Sequence, residues 1–238
     1  MKPDRLFYSA TGAIFLVLVV LGFQHYIFGG RHVDGSPIAP AMLVIVVMHS
    51  SAIFAWFVLF FTQSLLISLN NRRLHMKLGW SVLVIASLIA VTGPLVATRS
   101  LQVDPSQVVF DWPSRQFLLI MYSEIALYVA FVTIGVLNRK RLRIHRPMML
   151  MASLVILTGA TGRIPLVNSI FGFHHWVGIF GPVIALAALL FLVRVALTRT
   201  VDREFAAGFA ALVVATVLAA GIAETNVWIT LAGPILKP

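Results

Sequence analysis

Seven stretches of apolar sequence, each long enough to cross a bilayer, run through this chain and fix what it can fold into. A window of about 19 residues places them at 6–28, 40–69, 78–97, 117–137, 148–164, 176–197 and 205–229, each near the ~20 residues that carry a helix across ~30 Å of hydrocarbon. Hydrocarbon offers no water to a backbone amide, so runs of this kind close their hydrogen bonds internally, as helices. The expected fold is all-α: one transmembrane domain over 1–238, a bundle of seven membrane-spanning helices. A charged fraction of 11% agrees with this, since soluble domains carry about 25%.

Lys and Arg set the expected orientation. One side of the membrane collects Lys2, Arg5, Arg72, Arg73, Lys77, Arg139, Lys140, Arg141, Arg143, Arg146, Arg194, Arg199 and Arg203, which is 13 of the 18. The other side holds Arg31, Arg99, Arg115, Arg163 and Lys237. The positive-inside rule then places the amino terminus in the cytoplasm and the carboxyl terminus outside, in a bacterial inner membrane. The net charge of +10 is accordingly read as topology signal and attraction to anionic lipid, with no nucleic-acid partner implied. The charged start from Met1 to Arg5 is like that of a signal peptide. The apolar run behind it exceeds a signal h-region of ~7–15 residues, so the segment is expected to remain as a helix.

Absences narrow the chemistry. With no cysteine there are no disulfides, thiolate zinc sites, iron–sulfur clusters or covalently attached c-type haem, which leaves histidine and carboxylate as ligands. Phosphate-binding glycine loops, nucleophile elbows and dinucleotide fingerprints are also missing, which argues against nucleotide-driven transport and serine hydrolysis.

Ionisable residues inside spans cost ~2.5–3.5 kcal/mol and therefore face the bundle interior with partners. His49, Glu124 and Glu224 lie about eight, seven and five residues from the outer ends of their spans, roughly 7–12 Å deep at about 1.5 Å per residue. Arg163, His174, His175 and His25 arrive at the same side, as do Gly93-Pro94, Gly181-Pro182 and Gly233-Pro234, where broken helices would shape an outward-facing pocket for a small molecule or lipid. Tyr128 and Trp56 follow Glu124 and His49 at helical spacing and extend those faces. His49, Glu124, His174 and His175 are the candidate ligands for iron, copper or zinc, with Arg163 and Glu224 as charge partners. The plainer alternative is an ion pair from Arg163 to Glu124 or Glu224, with His49 hydrogen-bonded to a neighbour.

A second set lies at the inner face. Arg73-Leu74-His75 and Arg143-Ile144-His145 each sit between two spans, as a weak parallel repeat of helix, basic turn, histidine and helix. Facing histidines at one depth are how membrane proteins hold b-type haem iron, so His75 and His145 are axial candidates, with nearby arginines for the propionates. Other polar residues receive simpler expectations: Arg194 snorkels to headgroups, Gln63, Ser64 and Ser68 bond between helices, and the small-residue stretch 206–223 with Gly208 and Gly221 packs closely.

The strings His49-Ser50-Ser51-Ala52-Ile53-Phe54-Ala55-Trp56, Arg73-Leu74-His75-Met76-Lys77-Leu78-Gly79, His145-Arg146-Pro147-Met148-Met149 and Gly162-Arg163-Ile164-Pro165 resemble an uncharacterised bacterial multi-pass membrane-protein family. That resemblance implies the same membrane fold and singles out His49, His75, Glu124, His145 and Arg163. The histidines on successive helices are more distantly similar to two-haem ferric reductases of the b-type cytochrome class. Those proteins ligate haem from four adjacent helices, whereas here the partner of His49 would have to be His174 or His175 at the sixth span. Three functions follow: a redox membrane protein holding haem b or a transition metal, a proton- or cation-coupled transporter, or an accessory subunit for another membrane protein.

Overall fold

The computed structural model describes residues 3–31, 35–172 and 174–236. It is 83% helical. The long helices are α1 (Pro3–Gly29), α2 (Pro40–Ser68), α4 (Ser81–Val103), α5 (Ser114–Leu137), α6 (Leu142–Thr161), α8 (His175–Thr198) and α9 (Arg203–Ala223). Short helices α3 (Arg72–Leu78), α7 (Pro165–Phe171) and α10 (Asn226–Ile235) and a hairpin of β1 (Val108–Val109) and β2 (Trp112–Pro113) occupy the connections. Among the described residues, seven helices are long and apolar enough to cross a membrane, the third counted through α3 and α4 as one span. The chain is a multi-pass integral membrane protein.

Helix α6 is the axis of the bundle. Its apolar window is 78% buried against 28–44% for the other six spans, although its mean hydropathy is the lowest, 1.2 against 2.0–2.5. The inversion is physical. Helices that face lipid need apolar surfaces all round, whereas a helix shielded by its neighbours can carry Ser153, Thr158 and Thr161, all buried. Close approach is built from small residues. A Cβ on Gly22 of α1 would lie 2.3 Å from the Ala160 carbonyl oxygen of α6, and one on Gly208 of α9 would lie 2.8 Å from Met151. The expected packing role of the 206–223 stretch therefore holds at Gly208. At Gly221 nothing stands within 4 Å.

Polar links tie the helices together. The Trp56 indole donates to Ser153 Oγ at 3.1 Å, Ser9 and Ser68 hydroxyls meet at 2.5 Å, and Thr98 and Tyr122 hydroxyls meet at 2.6 Å. Ser68 thus bonds between helices as expected, whereas Ser64 donates back to Phe61 of its own helix at 2.8 Å. Arg194 departs from expectation. Its Nε donates to Asp202 Oδ2 at 2.6 Å with both side chains only 12% exposed, and its guanidinium lies over the rings of Phe7 and Tyr8. A carboxylate and two aromatic faces within reach satisfy the charge inside the bundle, so it does not snorkel outward.

The seventh span is shorter than its apolar run. Helix α9 ends at Ala223 and α10 restarts at Asn226, capped by Thr225, whose hydroxyl accepts from the Trp228 amide at 3.3 Å. Helix α10 then lies across the carboxyl end of α4 and the amino end of α5, held by Trp228 Nε1 donating to the Arg115 carbonyl at 2.7 Å and Gln102 donating to the Ile235 carbonyl at 2.9 Å. The three Gly-Pro strings do not break helices either. Each lies inside one, and two of these glycines serve close packing, Gly93 against Ile125 and Gly181 against Phe171.

Asp202 has two jobs, since its other oxygen caps α9 by accepting from the Phe205 amide at 3.1 Å. Replacing Arg194 with Ala strands that carboxylate in a partly buried position, and is expected to cost about 3 kcal/mol in denaturant unfolding of the detergent-solubilised protein. Asp202→Asn keeps the cap and should cost less. A double-mutant cycle checks that the difference belongs to the pair.

Candidate functional site

His75 and His145 are each placed by a bond from the ring to the backbone of the preceding long helix, although only the first has a capped turn before it. Asn71 caps α3 by accepting the Leu74 amide at 3.2 Å, and the turn it sets carries the His75 ring back to α2, where Nδ1 lies 3.2 Å from the Gln63 carbonyl oxygen. At the start of α6 the His145 ring reaches back to α5, its Nδ1 2.9 Å from the Gly135 carbonyl oxygen. A carbonyl only accepts, so each Nδ1 carries the hydrogen and donates it, and each neutral ring keeps its lone pair on Nε2. The repeat legible as two short basic strings is thus a shared geometry. His75 acts electrostatically on His145, Arg72 on His75, and Arg146 on both.

Gln63 adds a third element. Its carbonyl holds His75, yet its buried carboxamide has no hydrogen-bond partner for either nitrogen or oxygen. The expected interhelical bond is absent among the described residues. Leaving a buried amide unsatisfied costs about 1–3 kcal/mol.

The outer set is assembled only in part. His49 Nδ1 lies 2.9 Å from Thr92 Oγ1 of α4, and because that hydroxyl donates to the Leu88 carbonyl at 2.6 Å, His49 is the donor. This is the hydrogen-bonded neighbour that the plainer reading expects. Glu124 of α5 faces the Thr158 hydroxyl of α6, and the Arg163 charge acts on both Glu124 and His49. Arg163 forms no ion pair with Glu124 or Glu224 among the described residues. Its guanidinium donates to the Gly159 carbonyl and lies 5.1 Å and 5.6 Å from the ring centres of Phe23 and Tyr26. Trp56 and Tyr128 meet edge to face at 5.0 Å, so the aromatic faces following His49 and Glu124 do converge.

The remaining residues of that set go elsewhere. His174 Nδ1 pairs with Asp111 at 2.7 Å on the β1–β2 hairpin, and the His175 ring packs edge-on against Trp112 at 5.0 Å. Glu224 is exposed at the end of α9, and His25 is exposed on α1. No three His, Asp or Glu side chains come together in a metal-holding group among the described residues. The four-residue outer metal set is therefore corrected to a narrower cluster of His49, Glu124 and Arg163. The reason is local: the hairpin offers His174 a carboxylate and His175 an indole before either can reach the membrane interior. The space expected to open outward is small. The cavity beside Glu124 measures about 10 Å³, whereas a groove of about 780 Å³ lies on the flank between α2 and α4.

No family model, curated protein or solved structure matches the chain. The site stands on its own geometry. Sequence reasoning missed Thr92, Thr158, Ser123 and Thr216 as neighbours of the ionisable groups; the available signal was their type, hydroxyls placed in the middle of apolar spans. Replacing Thr92 with Val removes the His49 bond at constant shape, and is expected to cost about 1 kcal/mol in a detergent unfolding titration.

Proposed function

We propose that the protein is a redox protein of the bacterial inner membrane, in which His75 and His145 ligate a transition metal, haem b iron being the form that two imidazoles suit best. The observation that carries the reading is the matched pair of rings. Each is locked through Nδ1 to a backbone carbonyl, with Nε2 left as a lone pair, beside the unpartnered carboxamide of Gln63. Outer-sphere bonds from Nδ1 to carbonyl oxygen are what fix the tautomer and orientation of a ligating imidazole.

The donor set fits iron ligation. Two neutral imidazoles fill two coordination positions, Gln63 offers a polar neighbour, and Arg72 and Arg146 supply positive charge for anionic substituents. Bound iron would supply a one-electron couple; the chain's own part is to hold the rings, and to keep their lone pairs unprotonated beside the arginines. The likeness to two-haem reductases lends itself to this inner position alone, because His174 and His175 already have partners on the hairpin. A second reading, proton- or cation-coupled transport, is favoured by the placement of Glu124 within a span.

Elemental analysis of detergent-purified protein should find close to one iron per chain together with a haem absorption spectrum. His75→Ala and His145→Ala should each lower the iron at least tenfold while the chain remains folded. Iron-free wild-type protein, or full occupancy in both variants, overturns the assignment. The absence of native cysteine also permits a clean topology test: single cysteines at Arg141 and Gln107 are expected to react with a membrane-impermeant maleimide from the cytoplasmic and outer sides respectively.

A further inference from the structure

The groove of about 780 Å³ on the flank between α2 and α4 takes no part in the histidine site. Its walls include Val44 and Met48 of α2 and Val84, Leu88, Val91 and Leu95 of α4, all exposed apolar side chains. On α4 these positions recur at intervals of three and four, so they form one stripe along a single helix face. Arg99 continues the stripe, at the end of the groove where α2 begins. Ser87 and Thr92 are the hydroxyls along the wall. That of Thr92 accepts from His49 and donates to the Leu88 carbonyl, so it asks nothing of an occupant.

Arg99 lies within the third span, one turn before α4 ends, and its side chain is exposed. Among the described residues it pairs with no carboxylate. One of its N–H groups meets the Gln102 carboxamide oxygen at 3.2 Å, and the Gln102 amide nitrogen donates in turn to the Ile235 carbonyl at 2.9 Å. Helix α10 therefore orients the side chain that steadies the guanidinium. A guanidinium has five N–H donors, and this bond engages one of them. Asp104, the nearest carboxylate along the chain, accepts from the amide and the hydroxyl of Ser106. A cation inside a span needs a counter-charge. At the end of a lipid-facing groove the membrane itself offers one, the lipid phosphate, whose oxygens match the fork of an arginine.

We propose that the groove binds one acidic phospholipid, with its phosphate on Arg99 and an acyl chain along the α4 stripe. The dimensions agree. From Val84 to Arg99 the stripe runs roughly 22 Å at about 1.5 Å per residue, more than the ~15 Å of hydrocarbon that one leaflet contributes. An acidic headgroup fits better than a zwitterionic one because no carboxylate stands beside Arg99 to receive an ammonium group. A second copy of this chain fits worse: docked along the stripe about a twofold axis normal to the membrane, it would bring two Arg99 guanidiniums to the same end, a like-charge contact. The site shares no side chain with His75 or His145 and holds its lipid whether or not they carry iron.

The absence of native cysteine allows a local test. The full-length Val44→Cys chain, carrying a bimane fluorophore at the groove wall, is placed in nanodiscs in which either phosphatidylglycerol or phosphatidylcholine bears brominated acyl chains, at equal mole fraction. Bromine quenches the label on contact, so quenching reports which lipid lies in the groove. Brominated phosphatidylglycerol is expected to compete for this position about fivefold better than brominated phosphatidylcholine. The same label at Leu218, an exposed position on α9, should respond to the two alike. Arg99→Gln should remove the preference, whereas Arg115→Gln, an exposed cation at the start of α5, should leave it. Equal quenching by the two lipids at Val44 overturns the proposal, as does a preference that survives Arg99→Gln. A Val44 label that neither lipid quenches overturns it as well, in favour of protein seated in the groove. Comparison of the two lipids needs only the labelled Val44→Cys chain, so it decides even where Arg99→Gln does not assemble.

Discussion

Hydrocarbon cannot return a hydrogen bond, so each polar side chain within a span must find its partner inside the bundle, and the helix that carries most of them must stand furthest from lipid. That constraint accounts for α6. It is the span least able to face the membrane and the one most completely covered, and the other helices take their positions by covering it. Gly22 lets α1 approach Ala160, Gly208 lets α9 approach Met151, and Trp56 reaches from α2 to Ser153. Both polar sites border this axis, the inner one through His145 at its start and the outer one through Thr158 and Arg163 at its end.

The number and placement of the spans could be read from apolar run length because the bilayer imposes that length. Where reading by length went astray, a capping residue outweighed hydropathy. Thr225 ends the last span by starting a new helix, although the apolar run continues to Ile229. Glycine before proline was misread for a related reason: within a span the close contacts of Gly93 and Gly181 explain the glycine without any break.

The two sites differed in legibility. His75 and His145 were visible because their neighbours repeat, and the repeat turned out to be one hydrogen-bond geometry used twice. The outer cluster was anticipated from depth alone, and depth carries no information about azimuth or about competing partners. Thus His49, Glu124 and Arg163 share a neighbourhood, whereas His174, His175 and Glu224 share only an end of the molecule. No pattern in the sequence could show that Asp111 and Trp112 would take the two histidines, because that contact depends on how two outer connections fold against each other. Nor could it show that Gln63 is left unpartnered, since an amide's satisfaction is settled by its surroundings.

The contact of Arg194 with Asp202, Phe7 and Tyr8 joins α1 to α8 and α9. During synthesis Phe7 and Tyr8 emerge early and Asp202 near the end, so Arg146 can reach the Tyr8 ring well before Arg194 reaches both rings. Arg194 is synthesised eight residues before its counter-ion. The contact is thus completed by the last span, and a nascent chain halted before α9 would hold the Arg194 guanidinium against aromatic rings with no carboxylate beside it.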